Sequence, residues 1–391
     1  MPWHACPMAI DEVSLEELRR RSSAKWRTYP SDVLPAWVAE MDFTLAEPIA
    51  HALRSAVDTS DTGYGWADDV PAALAEFASA EWNWEIDPGN VTVLADVMSS
   101  VGQSLLHLTE PGSTVVINPP VYPPFFSTVE KVASRRLRDV PLIVDAGRYR
   151  LDMDELAGAF ADPSVQAYVL CSPHNPTGTV HPAEDLRRIA ELAADHDVVV
   201  IADEVHAPIT LAGAKHTPFL KAAADVADLR AVAIMSASKT WNIPGLKCAQ
   251  VVAAPTVVER LRERLPIEVT YLVGHFGVLA SLAAYREGAA WRREMLSALD
   301  SRRRQLFTAL EDTAGVSMTW PEASFLAWVR MEGLGDDPAE VIREQGKVAL
   351  TSGSAFGSPG VGHVRINFAT SEAILAEVVS RLGSVVAAHA S

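Results

Sequence analysis

Cysteine is scarce in this chain of 391 residues. There are three, Cys6, Cys171 and Cys248, and no two have the Cys-x-x-Cys spacing. An odd number without that spacing argues against a disulfide framework and favours a reducing compartment. Cys171 and Cys248 lie in apolar, strand-like runs, so we expect both to be small core residues. We therefore expect a cytoplasmic protein, and we predict no metal site.

Long apolar runs and clustered basic residues are also absent. The longest uncharged run, 269–285, contains His275 and many small residues, so we predict a buried helix there and not a membrane span. Residues 1–6 lack the basic and apolar regions of a signal peptide, and we expect none. The net charge is −17, which argues against nucleic acid as a partner because phosphate backbones attract clustered Lys and Arg. We expect neither a membrane nor a nucleic acid as a partner.

Hydrophobic residues make up 49% of the chain, which is ample for a core. Short β-branched runs, such as 114–117, 167–171 and 198–201, alternate with helical stretches. This pattern is typical of a parallel sheet covered by helices on both faces. We predict an α/β fold with a mostly parallel sheet in a large domain, residues 46–284.

The two ends of the chain differ from this pattern. Residues 1–45 are rich in Pro and Trp, and only a short helix is indicated there, by a capping box between Ser14 and Glu17. We expect this arm to pack on the C-terminal domain and on another subunit. After residue 284 a long charged helix, about 288–313, leads to further strands and helices. We predict a smaller α/β C-terminal domain, residues 285–391.

Polar residues directly follow the apolar runs. In open parallel sheets the ligand binds beyond the carboxyl ends of the strands, so we expect these side chains to face one crevice. They are Tyr122, Asn175, Asp203, His206, Ser236 and Lys239.

Four of these side chains together suit one type of cofactor ring. A partly buried Lys239 has a lowered pKa and can form an imine with an aldehyde. Asp203 can keep a ring nitrogen protonated, which makes a pyridine an electron sink. Asn175 can hydrogen-bond a phenolate oxygen, and Tyr122 can stack on a flat ring.

A phosphate can be held beside that ring. Ser236, Lys247 and a helix start near Val97 and Met98 offer a hydroxyl, a charge and backbone N–H groups. These are the groups that pyridoxal 5′-phosphate (PLP) requires, and we predict PLP as the cofactor. Each motif also has a simpler interpretation. Lys239 resembles any surface lysine, Asn175–Gly178 any turn, and Asp203–Glu204 any exposed acidic pair or helix cap, but their shared position at strand ends favours one site.

Several segments extend this pattern over nearly the whole chain: Lys25-Trp26, 37–43, 119–125, 172–178, 203–206, 236–239 and 365–367. They resemble the class I/II aminotransferases of PLP fold type I. More narrowly, they resemble the MalY/PatB family of C–S β-lyases, often called cystathionine β-lyases. The Lys-Trp, Trp-Val-Ala and Pro-Pro-Val-Tyr-Pro-Pro elements distinguish this group from ordinary transaminases.

The resemblance implies a role for each site residue. Lys239 is the Schiff-base lysine, catalytic together with Asp203 and Tyr122, and Asp203 pairs with the pyridinium. The resemblance places Asn175 and His206 at the phenolate edge of the ring and makes Arg365 the residue that binds the substrate α-carboxylate. It further implies that the remaining cofactor-binding residues, mostly at the phosphate, are Ser236, Ser238, Lys247, Val97 and Met98.

The resemblance also implies a homodimer with shared active sites. Tyr64, in a glycine-containing loop, is expected to be presented to the phosphate of the neighbouring subunit, although a packing aromatic is the alternative. The Asn175-Pro176 peptide bond is expected to be cis. Three residues depart from the pattern of related proteins. Lys247 stands where most aminotransferases have Arg, although Lys suits the narrower group, Glu40 replaces the usual Asp, and Asp96 replaces Gly beside the expected phosphate.

The resemblance implies α,β-elimination from an amino-acid substrate, L-cystathionine or a related cysteine S-conjugate. The products would be a thiol (homocysteine from cystathionine), pyruvate and ammonia. An aminotransferase would use the same residues and is the main alternative, because residues near the ring barely discriminate between the two reactions. A regulatory PLP-fold protein that acts through protein contacts is a third hypothesis. Direct DNA binding is not expected, because no basic arm or helix-turn-helix extension is present.

Overall fold

The computed structural model describes residues 10–389. Cys6 and the first residues of the predicted arm lie outside the described residues. The strands are β1 (Leu34–Pro35), β2 (Val91–Leu94), β3 (Thr114–Ile117), β4 (Arg136–Asp139), β5 (Ile143–Asp145), β6 (Arg148–Arg150), β7 (Val165–Cys171), β8 (Val199–Asp203), β9 (Ala231–Met235), β10 (Ala249–Ala253), β11 (Val316–Met318), β12 (Leu326–Met331), β13 (Val348–Ala349), β14 (Thr351–Ser352) and β15 (His363–Asn367).

Helices surround these strands, and short 3₁₀ or π turns link some of them. The α-helices are α1 (Leu15–Arg19), α2 (Ala24–Arg27), α3 (Glu47–Asp58), α4 (Val70–Trp82), α5 (Val97–Leu108), α6 (Pro124–Ser127), α7 (Met153–Phe160), α8 (Ala183–Asp195), α9 (Phe219–Ala222), α10 (Pro255–Arg264), α11 (Ile267–Thr270), α12 (His275–Glu287), α13 (Ala289–Leu310), α14 (Pro338–Val341) and α15 (Glu372–His389). The capping box predicted between Ser14 and Glu17 is present at the start of α1.

A seven-stranded sheet with the order β2-β10-β9-β8-β7-β3-β4 forms the centre of the fold. The pairs from β9 to β4 are parallel, as the β-branched runs predicted. Strand β10 runs antiparallel to both of its neighbours. The connection from β9, residues 236–248, contains a 3₁₀ turn and no α-helix, so the chain turns back beside β9 and does not cross a face of the sheet.

Both faces of this sheet are covered, because successive residues of each strand enter different cores. Val199 and Ile201 belong to the cluster that contains Leu105 and Leu261 from α5 and α10. Val200 instead belongs to the cluster that contains residues of α7 and α8. This alternation is the reason that the strands are apolar along their whole length.

The C-terminal part of the chain contributes an antiparallel sheet with the order β11-β12-β15-β14. The N-terminal arm packs on this part of the chain: β1 and β13 form a separate parallel two-stranded sheet, and Asn367 on β15 donates its side-chain amide to Val38 O at 2.7 Å. The long charged helix predicted near 288–313 corresponds to α13. The exact domain boundaries, 45/46 and 284/285, stay predictions.

The prediction of one buried helix over 269–285 is wrong in its first third. Helix α12 begins at His275, and Tyr271 and Leu272 lie in an exposed turn before it. Gly274, directly before α12, has an extended backbone (φ −72°, ψ 126°), so the short helix α11 does not continue into α12. A Cβ atom on Gly274 or Gly277 would lie within 2.3 Å of Leu246 O, so α12 begins in close contact with the loop before β10. Within residues 10–389, no helix is long and apolar enough to cross a membrane.

A buried ion pair joins two segments of the N-terminal arm. Lys25 Nζ lies 2.8 Å from Asp42 Oδ2, and both side chains are at most 2% exposed. Lys25 also donates to Glu40 O at 3.0 Å, and Trp26 Nε1 donates to Asp42 Oδ1 at 3.1 Å. A buried charge that loses its partner keeps its desolvation cost, so the pair matters more than a surface pair.

We expect Asp42→Asn to lower the free energy of unfolding by about 3 kcal/mol, because it leaves the Lys25 ammonium buried and unpaired. The matched control is Glu47→Gln, which breaks the exposed pair of Arg54 and Glu47 at the same 2.8 Å separation. Its expected effect is below about 0.5 kcal/mol. Urea titration of both variants measures the difference. Equal small effects would show that the buried pair does not stabilise the folded arm.

Candidate active site

The predicted site residues follow strands that are neighbours in the sheet. Asp203 is the last residue of β8, and Asn175 lies four residues after the end of β7. Lys239 lies four residues after the end of β9. Because β7, β8 and β9 are parallel and adjacent, their carboxyl ends bring these three side chains to one edge.

A cavity of about 230 Å³ lies at this edge. Ala39, Asp96, Cys171 and Cys248 are among its lining residues. The predicted site residues that line it are Val97, Met98, Tyr122, Asn175, Asp203, His206, Ser236, Ser238, Lys239 and Lys247. Arg365 and Tyr64 are not part of its lining.

Lys239 reaches the N-terminal arm across the cavity. Its Nζ donates a hydrogen bond to Ala39 O at 2.9 Å. Burial and the charge of Arg365 lower the pKa of Lys239 to about 8, although Asp203 and Glu40 oppose the shift. The amine is therefore unprotonated at neutral pH far more often than that of an ordinary lysine.

Asp203 is a buried carboxyl group that faces the same cavity. One oxygen accepts the backbone N–H of Val205 at 3.1 Å. Burial raises the pKa of Asp203 to about 6, against the opposing effects of that N–H group and of Lys239. The group is still mostly ionised at pH 7, and it binds a proton more readily than an exposed aspartate does.

Arg365 lies directly behind Asn175. Its Nη1 donates to Asn175 Oδ1 at 3.1 Å, and its Nη2 donates to Trp37 O at 3.1 Å. Its Nε atom is buried and has no hydrogen-bond partner among the described residues. Burial lowers the pKa of Arg365 to about 10, so it stays charged at neutral pH. Because Asn175 turns its oxygen toward Arg365, its amide Nδ2 is left to donate to a ligand.

His206 is a neutral histidine in this site. Its Nδ1 and the hydroxyl of Ser324 lie 3.1 Å apart. Burial and the charges of Lys239 and Arg365 lower the pKa of His206 to about 3. A neutral imidazole that is fixed at one nitrogen can offer the other nitrogen to a ligand in the cavity.

The predicted phosphate region contains an ion pair. Asp96 caps α5, with Oδ1 accepting the Ser99 N–H at 2.8 Å, and its Oδ2 lies 2.8 Å from Lys247 Nζ. Burial raises the pKa of Asp96, but hydrogen bonds from Lys247 and the helix N–H groups give a net lowering. The carboxylate of Asp96 therefore faces the predicted phosphate region, where it forms an ion pair with Lys247.

The side chain of Tyr64 is exposed to solvent, as predicted, and is not buried as a packing aromatic. It is 84% exposed, and its ring centroid lies 5.6 Å from that of Tyr271. It does not reach the cavity of its own chain. The Asn175-Pro176 bond is cis, as expected.

Sequence reasoning missed the contribution of Ala39, whose backbone carbonyl carries no signal in the sequence. It also missed Ser324, because nothing in its surroundings marks a residue that contacts His206. Glu40, one of the departures, directs its carboxylate to the hydroxyl of Ser23 at 2.6 Å. Cys171 and Cys248 are buried as expected, and they also line the cavity. Burial raises the pKa of Cys248 to about 11.

The donor set of the cavity fits PLP. It offers an amine of lowered pKa, a buried carboxyl group, an amide N–H and the N-terminal end of a helix. An unpaired guanidinium N–H lies behind the amide. Among residues 10–389, no group of His, Cys, Asp or Glu is arranged to hold a metal ion.

Known proteins agree with this geometry. The aminotransferase class I and II family model matches residues 31–382. A protein from Mycobacterium leprae (strain TN), provisionally named a cystathionine beta-lyase, is 42% identical, over 96% of this chain and 97% of its own. Cystathionine beta-lyase PatB of Bacillus subtilis (strain 168) is 34% identical, with coverages of 90% and 92%.

A solved structure from Corynebacterium diphtheriae, provisionally described as a PLP-dependent beta-cystathionase, superimposes with a TM-score of 0.89. It is 30% identical, and the match covers 97% of this chain and 100% of the other. The family model and these relatives each span most of the sequence. The chain thus belongs to the aminotransferase class I and II family of PLP-dependent enzymes, in the group that includes PatB.

Proposed function

We propose that this protein is a PLP-dependent carbon–sulfur β-lyase that cleaves L-cystathionine or related cysteine S-conjugates. The products are a thiol, which is homocysteine in the case of cystathionine, together with pyruvate and ammonia. The observation that carries the proposal is the arrangement of Lys239, Asn175 and Arg365. It combines a reactive amine with a charged site for a carboxylate. The names of the relatives favour the lyase over amino transfer.

Each residue that would hold PLP has a physical reason to do so. Lys239 would hold it covalently, Asp203 would share a proton with its ring nitrogen, and Tyr122 would pack on the ring. Asn175 Nδ2 and His206 would face the phenolate oxygen. The N-terminal end of α5, Ser236, Ser238 and Lys247 would surround the phosphate.

When bound, PLP withdraws electrons from Cα of the amino acid, so that a proton can leave Cα and a thiolate can leave Cβ. Lys239 is the base that takes the Cα proton, because its pKa of about 8 leaves much more of the amine unprotonated near neutral pH than in an ordinary lysine. Arg365 orients the substrate through a bidentate contact with the α-carboxylate, and its unpaired Nε is a donor available for this. Asp203 keeps the ring proton in place throughout.

We further propose a homodimer with shared active sites. An exposed apolar patch near the cavity supports it, since monomers rarely leave such groups in water. Tyr64 is 84% exposed and Trp66 is 72% exposed. Ile267, Tyr271 and Leu272 extend this patch. Tyr64 would then reach the phosphate site of the partner.

The cysteines bear on the cellular setting. Cys171 and Cys248 are unpaired in the described part of the chain. Free thiols beside a catalytic lysine persist best in a reducing compartment. We propose that the protein works in the cytoplasm.

Lys239→Ala should abolish pyruvate release from L-cystathionine, with a loss of at least about a thousandfold, because both covalent attachment and Cα proton transfer are removed. Lys131→Ala, at an exposed lysine, is the control and should leave the rate unchanged. The measurement is pyruvate formation in a coupled assay with added PLP. Near-normal release by Lys239→Ala would contradict the assigned role.

The uptake of PLP by the full-length chain should depend on pH with a midpoint near 8. The pKa of Lys239 is lowered, so the reactive amine accumulates above about 8, whereas an ordinary lysine needs about 10.4. Arg365→Met removes a nearby positive charge and should move the midpoint upward. Arg343→Met, at the surface, should leave it in place. Rapid-mixing absorbance measures the rates, and a midpoint that Arg365→Met leaves unmoved would contradict the electrostatic account.

Mixed dimers test the shared site. Lys239→Ala and Tyr64→Ala chains, unfolded and refolded together, should recover up to about a quarter of native pyruvate release, since half of the dimers regain one complete site. The control mixture is Lys239→Ala with Asp203→Asn, which should recover nothing because both residues line the cavity of one chain. Equal recovery in the two mixtures, or none in the first, would argue against the contribution of Tyr64.

A further inference from the structure

We propose that Asp96 limits how strongly the site holds the phosphate of its cofactor, because its carboxylate competes for the charge of Lys247. The site consequently discriminates less between PLP and unphosphorylated pyridoxal than its other groups would allow. The proposal rests on PLP as the cofactor of the proposed function, and it does not depend on which reaction follows.

Both oxygens of Asp96 are engaged. Oδ1 accepts the N–H of Ser99 at 2.8 Å, and Oδ2 lies 2.8 Å from Lys247 Nζ. The carboxylate is therefore fixed at the N-terminal end of α5. It cannot leave that end without losing a helix cap, which is typically worth about 1 kcal/mol.

Lys247 is also held firmly at this position. Its backbone is in the left-handed region at φ 64°, and its carbonyl oxygen accepts the N–H of Gly274 at 2.8 Å. The preceding residue, Leu246, packs so closely on the start of α12 that only glycine fits at positions 274 and 277. The backbone that carries Lys247 therefore keeps its side chain within reach of Asp96.

The charge balance of the cavity gives this pair its effect. The cationic side chains along the cavity wall are Lys239 and Lys247, and Lys239 is committed to covalent attachment. Asp96 neutralises Lys247, and it also accepts an N–H group from the end of α5 that would otherwise face an anion. A phosphate dianion then meets an ion pair with no net charge, together with neutral donors such as Ser238. The phosphate therefore binds more weakly here than it would beside a lysine that has no acidic partner.

The test compares two ligands that differ only in the phosphate. The full-length Asp96→Asn variant keeps the helix cap, since asparagine caps as well as aspartate, and it removes the charge. We expect its dissociation constant for PLP to fall roughly tenfold. Its dissociation constant for pyridoxal should stay within about twofold, because pyridoxal carries no group that meets Asp96. Both constants are measured by titrating the cofactor-free protein with each ligand and recording the fluorescence of the bound ligand.

The matched control is Asp152→Asn. Asp152 caps α7 in the same way, by accepting the N–H of Glu155 at 3.0 Å, and it is not part of the cavity wall. This variant should leave both dissociation constants unchanged. Lys247→Met should weaken PLP binding and leave pyridoxal binding unaffected.

Release from the holoenzyme supplies a second measurement that needs no cofactor-free protein. After dilution, Asp96→Asn should lose PLP about tenfold more slowly than the native enzyme. Weaker or unchanged PLP binding in Asp96→Asn would overturn the proposal. An equal gain for PLP and pyridoxal would also overturn it. Neither result would bear on pyruvate release, so the proposal and the lyase function can fail separately.

Discussion

The hydrogen bond from Lys239 Nζ to Ala39 O connects the parts of this structure that the site needs. Ala39 belongs to a short irregular segment, residues 37–42, whose backbone is held on both sides. Trp37 O accepts from Arg365, while the peptide groups of Met41 pair with the side chain of Asn242 at 2.8 Å. One strip of backbone thus sets the distance between the lysine that follows β9 and the arginine on β15. Moving this strip would disturb the amine and the carboxylate site together.

Burial of charge is the second constraint on the site. Desolvation lowers the pKa of Lys239 and raises that of Asp203, so both groups titrate near neutral pH. The two shifts have opposite signs because burial always disfavours the charged form. The same surroundings keep His206 neutral. A base, a proton-sharing acid and a neutral donor therefore coexist within one small cavity, which is what proton transfer at Cα requires.

Much of this arrangement could be predicted from sequence, for identifiable reasons. Asp203, Asn175 and Lys239 follow apolar runs directly, and parallel strands bring such positions to one edge. The antiparallel β10 and the break before α12 could not be predicted in this way. They depend on how residues 236–248 turn back after β9 and on the extended backbone of Gly274. The Lys239–Ala39 contact was equally hidden, because it uses a backbone carbonyl from a segment without periodicity.

The most direct test of the central claim is the stoichiometry of the reaction with L-cystathionine. Purified enzyme with PLP should release homocysteine and pyruvate in equal amounts for each substrate molecule consumed, without any added oxo acid. An aminotransferase would instead stop after converting its bound PLP to pyridoxamine phosphate, and it would resume only when an oxo acid was supplied. Equimolar thiol and pyruvate is the result that the lyase assignment predicts. Turnover that requires an oxo acid and yields no thiol would contradict it.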